Sequence, residues 1–235
     1  MKIAFRLASL MFACGLAAFA RGDMATAQEA RPADPNPERF AAEIRAFEEY
    51  DRKNSTPADA ILFVGSSSIR LWPTAQSFPN LAVVNRGFGG CHTSDVNHFA
   101  DRIVFKHRPR TIVFYAGDND IADGKSPVQV FEDIRKFVQL SHELLPKTRV
   151  VVLSIKPSVA RWRLWPQMQQ ANTLVRQLDM ADEQMEYVDM SPPLLGADGQ
   201  PRADLLLQDG LHLNEAGYRA WTQLLTPVIS PPAAK

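Results

Sequence analysis

Short unbroken runs of branched and aromatic residues alternate along the chain with longer stretches in which apolar positions recur every third or fourth residue. Residues 60–64, 81–84, 111–115, 150–153 and, more weakly, 186–189 are runs of the first kind. Continuous apolar character suits strands buried on both faces, as in a parallel sheet. Helical spacing fills the gaps. Residues 37–51 place Phe40, Ile44 and Phe47 on one face. Thr93, Ser94 and Asp95 offer caps for a helix running towards Lys106, and Ser126 before Pro127 reads as an N-cap with proline at the first helical position. From there Val130, Ile134, Phe137 and Val138 keep one apolar face; residues 166–182 and 214–225 repeat the pattern, with Asn214 as a cap. Such alternation predicts an α/β fold: a three-layer α/β/α sandwich around a mainly parallel, five-stranded sheet.

The chain ends depart from this pattern. Lys2 and Arg6 precede a 14-residue apolar run, Leu7 to Ala20, followed by Ala25-Thr26-Ala27. A membrane-spanning helix needs about 20 apolar residues, so residues 1–27 read as a signal peptide, with an uncleaved anchor as the alternative. The expectation is a secreted or periplasmic protein with no stable membrane insertion after cleavage. Residues 28–37 carry three prolines and read as a disordered lead-in. Residues 38–226 form the domain, and 227–235 a disordered tail.

Composition narrows the field. Lys plus Arg and Asp plus Glu are both 26, and pI is near 7. That argues against a nucleic-acid binder working by bulk charge. At 46% hydrophobic and 22% charged residues the chain is built to fold. Removing residues 1–27 leaves a net charge of −2 and one cysteine, Cys91, so stability must come from packing rather than disulfides.

In parallel sheets ligands bind beyond the carboxyl ends of the strands, and chemistry-bearing residues cluster there. Gly65-Ser66-Ser67-Ser68 follows the first run, and Asn85 to Gly90 follows the second. Gly117-Asp118-Asn119-Asp120 follows the third, and Asp209-Gly210-Leu211-His212 lies near the end. Singly, each has a bland reading: a cap, a turn, an Asx-turn, surface polarity. Together they supply what acyl transfer needs: a hydroxyl nucleophile, a base and a carboxylate that orients the base. Donors for a developing oxyanion complete the set. Ser67 fits the nucleophile, His212 the base and Asp209 the orienter. The Ser67 and Gly90 N–H groups and the Asn119 amide fit the oxyanion hole.

These four blocks, in this order, resemble the SGNH hydrolases of the GDSL esterase/lipase superfamily over nearly the whole chain after residue 27. The resemblance implies a flavodoxin-like sheet, Ser67 as nucleophile, Gly90 and Asn119 at the oxyanion positions, Asp209 and His212 as the last block, and neither metal nor organic cofactor. One position departs from the family pattern: Ser66 stands where the aspartate before the nucleophile is usual. Because three serines run together, Ser66 and Ser68 compete with Ser67.

The expected activity is hydrolysis of a carboxylic ester, acyl or acetyl, on a small-molecule, glycan or lipid substrate. The alternatives are an O-acyltransferase using the same triad and a non-catalytic binding module. Asp118 and Asp120 could instead bind a cation, although no histidine or cysteine nearby has metal-ligand spacing. Trp72, His92, Lys156, Trp162 and Trp165 are candidate substrate contacts, as is the basic character of the 156–165 loop. Equally, the tryptophans pack a helix onto the sheet and His92 is a polar loop residue. Which ester is cleaved, and the oligomeric state, are not legible.

Overall fold

The computed structural model describes residues 33–230. The leader expected over residues 1–27 lies outside them, as do residues 28–32 and 231–235.

Five parallel strands form one sheet in the order β2-β1-β3-β4-β5. They are β1 (Ile61–Gly65), β2 (Val83–Gly87), β3 (Thr111–Tyr115), β4 (Arg149–Leu153) and β5 (Met185–Val188). This is the flavodoxin-like order, whose switch point lies between β1 and β3. Side chains alternate across the central strands. Leu62, Val64, Ile112, Phe114, Val150 and Val152 face one buried layer, against α1 (Ala41–Lys53), α4 (Thr93–Ile103), α6 (Pro127–Leu144) and α7 (Trp165–Asp179). Ile61, Phe63, Val113, Tyr115, Val151 and Leu153 face the other, against α8 (Glu215–Ile229) and the segment of α2 (Ser67–Arg70) and α3 (Thr74–Ser77). The period of two along a strand thus fills two cores at once, which is why these runs are apolar throughout.

Two boundaries differ from expectation. The lead-in is ordered from residue 33. Pro37–Phe40 is a 3-10 turn capped by Asn36, Arg39 donates to the buried Asp95 at 2.6 Å, and Asp34 meets the ammonium of Lys125 at 2.7 Å. The domain also runs past residue 226, because α8 continues through Pro227 to the fully buried Ile229. The last carbonyls of α8 find partners outside the helix: Arg149 donates to Val228 O and Arg110 to Ile229 O. Proline is tolerated there because apolar anchoring and two guanidinium caps offset the lost N–H.

Candidate active site

The serine turn is built by close approach. Gly65 ends β1 with φ +142°, and a Cβ there would lie 1.8 Å from the Tyr115 carbonyl oxygen. Only glycine lets β1 and β3 close at this point. The chain then turns: Ser66 N–H donates to Tyr115 O, and Ser67 opens α2. As the first residue of a helix, Ser67 has no carbonyl a turn back to take its N–H. Ser66 and Ser68 are buried, and neither hydroxyl is bonded to the histidine. Ser67 Oγ is 2.9 Å from His212 Nε2, so of the three serines the structure brings Ser67 to the histidine.

His212 and Asp209 share one loop between β5 and α8. Asp209 Oδ2 lies 2.6 Å from His212 Nδ1, while its Oδ1 accepts the N–H groups of Leu211 and His212 at 2.9 and 3.0 Å. These bonds, that from the imidazole first, hold the Asp209 carboxyl at about 2, well below the usual carboxylate range. The carboxylate accepts from Nδ1, which leaves Nε2 as the acceptor facing Ser67. Three successive carbonyls at the loop tip are engaged: Gly210 O accepts from Ala160 N–H, Leu211 O from Lys156 Nζ at 2.7 Å, and His212 O from Leu207 N–H. Gly210 takes φ +62°, a left-handed turn that the reversal requires. Tyr218 on α8 ties the two halves by donating to Ser68 O at 3.0 Å.

The loops after β2 and β3 meet each other. A Cβ on Gly90 would touch nothing within 4 Å, so that residue opens onto free space. One residue on, the Cys91 carbonyl accepts from Asn119 Nδ2 at 3.0 Å. Asn119 lies in α5 (Asp118–Ala122), just after β3. Its Oδ1 accepts from Arg161 Nη2 at 2.9 Å. Asp118 is taken by a cation, and Asp120 by a cation and a backbone N–H. Asp118 pairs with Arg161 at 3.0 Å; the fully buried Asp120 accepts from Thr93 N–H and meets Lys125 at 3.1 Å. Cys91 is completely buried, and burial first, then nearby aspartates, push its thiol up, away from nucleophile character.

Four of the five candidate substrate contacts, Trp72, His92, Lys156 and Trp165, are buried, and Trp162 is half-buried. Trp72 sits in the core, stacked on Tyr218 with ring centres 5.7 Å apart. His92 is buried at the start of α4, with Nε2 2.8 Å from Asp123. Lys156 is 1% exposed and supports the Asp209–His212 loop from beneath. Trp162 stacks on Trp165, and both pack against the core under α7. Sequence reading missed the grip of Arg161 on Asn119 and of Lys156 on Leu211. No local pattern signals either, since each bridges segments far apart in the chain. A cavity of about 720 Å³ lies elsewhere, beside α1 and β2, and contains none of Ser67, Asp209 or His212.

An all-parallel 2-1-3-4-5 sheet with a serine, a histidine and a carboxylate in hydrogen-bonded series at its carboxyl edge defines the α/β/α hydrolase class. Within it, this chain belongs to the GDSL-like Lipase/Acylhydrolase family, whose model matches residues 70–220. Gly90, Asn119, Asp209 and His212 fall inside the match; Ser67 precedes it by three residues. The chain is 30% identical over 175 residues to platelet-activating factor acetylhydrolase IB subunit alpha1 of Homo sapiens, covering 72% of this chain and 73% of that one. A putative platelet activating factor structure from Streptococcus pneumonia superposes with a TM-score of 0.73 at 23% identity, over 81% of this chain and 92% of that one. An acetyl-xylooligosaccharide esterase variant from Geobacillus Stearmophilus gives 0.62 at 16% identity, over 76% and 97%. The protein is therefore a hydrolase of ester bonds.

Proposed function

We propose that the protein is a serine esterase that removes short acyl groups, acetyl above all, from its substrates by way of Ser67, His212 and Asp209. The observation that carries this reading is the continuous series Asp209–His212–Ser67, with contacts of 2.6 and 2.9 Å. Ser67 Oγ attacks the ester carbonyl as His212 Nε2 takes its proton, and Asp209 steadies the imidazolium. The oxyanion that forms accepts from Ser67 N–H, Gly90 N–H and Asn119 Nδ2. The departing alcohol takes the proton from His212, leaving an acyl-serine. Water then adds to that acyl group, giving its proton to Nε2, and collapse returns the hydroxyl to Ser67 and releases the acid. The acetyl preference is supported by the acetylhydrolase and acetyl-esterase names of the relatives.

The leader pattern over residues 1–27 supports export from the cytoplasm. N-terminal sequencing of protein recovered outside the cytoplasm should start near Gln28; an intact Met1 in a cytoplasmic product would refute it. A serine-directed phosphonate should label Ser67 and abolish activity, and rates on p-nitrophenyl esters should fall from acetate to octanoate. Labelling at Ser66 or Ser68 with an active Ser67→Ala variant, or a rate rising with chain length, would overturn the respective parts.

A further inference from the structure

Arg161 lies in the β4–α7 loop, far in sequence from every residue of the site, yet its guanidinium divides between two neighbouring acceptors on α5. Nη1 lies 3.0 Å from Asp118 Oδ2 and Nη2 donates to Asn119 Oδ1 at 2.9 Å. The Arg161 side chain is 19% exposed and that of Asp118 4%, so the fork is largely withdrawn from water. The backbone that carries it is itself fastened to the histidine loop, because Ala160 N–H donates to Gly210 O at 3.0 Å. A Cβ on Gly210 would come within 3.3 Å of Val159 Cβ, so the two loops are in contact there. Residues 159–161 therefore run from the base loop to the candidate oxyanion donor.

The amide of Asn119 has two N–H donors and one carbonyl oxygen. One N–H goes to Cys91 O, and the oxygen takes the Arg161 N–H. A half-turn of the amide would set its N–H groups against guanidinium donors and its oxygen against the Cys91 carbonyl. Both contacts would be repulsive. Arg161 and Cys91 O together thus fix the sense of the amide and leave one N–H uncommitted. A cation on Oδ1 also draws electron density from the amide nitrogen, which makes that N–H the stronger donor.

Building on the esterase reading above, we propose that Arg161 is a positioning residue for the reaction. It locks and polarises Asn119 so that one Nδ2–H faces the developing oxyanion. It touches neither the ester nor the nucleophile. Its effect belongs to the transition state, because the charge that Asn119 meets exists only there. A lysine in its place keeps the charge but loses the fork, so it can satisfy Asp118 or Asn119 but not both.

The test is steady-state kinetics on p-nitrophenyl acetate with Arg161→Ala, Arg161→Lys, Asn119→Ala and the Arg161→Ala/Asn119→Ala pair. Arg161→Ala should lower kcat by about tenfold or more and shift KM by less than about twofold, with Arg161→Lys between it and the parent. In the Asn119→Ala background, removing Arg161 should cost less than about twofold further, since its effect runs through the amide. The acid limb of the pH profile should not move. A loss that persists undiminished without Asn119, a change confined to KM, or a fully active Arg161→Ala overturns the inference. Should Arg161→Ala not fold, Arg161→Gln is read in the same cycle with the same outcomes deciding. Ser67→Ala separates the two levels: an active Ser67→Ala overturns the esterase reading itself, whereas an inactive one beside an active Arg161→Ala overturns only the role of Arg161.

Discussion

Both oxygens of Asp209 are in use, one by two backbone N–H groups and the other by the imidazole of His212. The carboxyl is thereby held at about 2 and stays ionised across the ordinary range of histidine titration. Because its folded value is depressed, its grip on the loop is full above the ordinary carboxylate range and is lost only as pH falls towards 2. Protonation of Asp209 should therefore add no break to the activity profile above about pH 3; a kcat profile from pH 3 to 9 checks it. His212→Ala should cost orders of magnitude in kcat, and Asp209→Ala less, because the base then survives without its orienter. The double variant should be little worse than His212→Ala, since residues acting as a unit are strongly non-additive. Effects that simply multiply would show that the pair does not act together.

At the scale of elements, the loop before α8 is rigid through its carbonyls rather than through a core of its own. Removing one anchor should loosen it without unfolding the sheet. Lys156→Met keeps the apolar stem, relieves a buried ammonium whose pKa burial pushes down, and frees Leu211 O. The expectation is a thermal midpoint close to the parent and a kcat lower by about tenfold; differential scanning calorimetry and ester kinetics together check it. The long elements were legible because a strand buried on both faces, or an amphipathic helix of several turns, writes its period into the sequence. The β2 run was read two residues early. Its apolar start, Leu81 and Ala82, lies before the strand, and its second half is polar. There Asn85 donates to Ile69 O and Trp72 O, and Arg86 pairs with Asp51. Helices α2, α3 and α5 are too short to show a period. The blocks carrying Ser67, Asn119 and His212 stand out in the sequence because each is a short local motif. Trp72, His92 and Lys156 were misplaced because burial depends on partners distant in sequence, such as Tyr218, Asp123 and Leu211.

At the scale of the whole molecule, both ends of the described segment, 33–230, are packed into the structure. Ile229 is fully buried and Phe40 nearly so. A chain stopping after Thr226 loses the Ile229 contact, worth about 2 kcal/mol, and the acceptors of Arg110 and Arg149 with it. A chain stopping after Ser230 keeps all three. Urea denaturation should separate these two truncations clearly. A chain beginning at Ala41 gives up Phe40, the Arg39–Asp95 bond and the Asp34–Lys125 pair. It should unfold at lower urea than one beginning at Ala33, while Ser67, His212 and Asp209 keep their mutual contacts.

Cys91 gives the molecule a built-in gauge of opening. Its sulfur is sealed, but its carbonyl holds the Asn119 amide, so the thiol reaches solvent only when the Cys91–Asn119 contact parts or the whole chain unfolds. Slow alkylation of Cys91, followed peptide by peptide by mass spectrometry, separates these two events by their dependence on denaturant. A denaturant-independent component would be the breathing rate of the loop that carries Gly90 and Cys91. A bound transition-state analogue should slow that component while leaving the denaturant-dependent one to report on global stability.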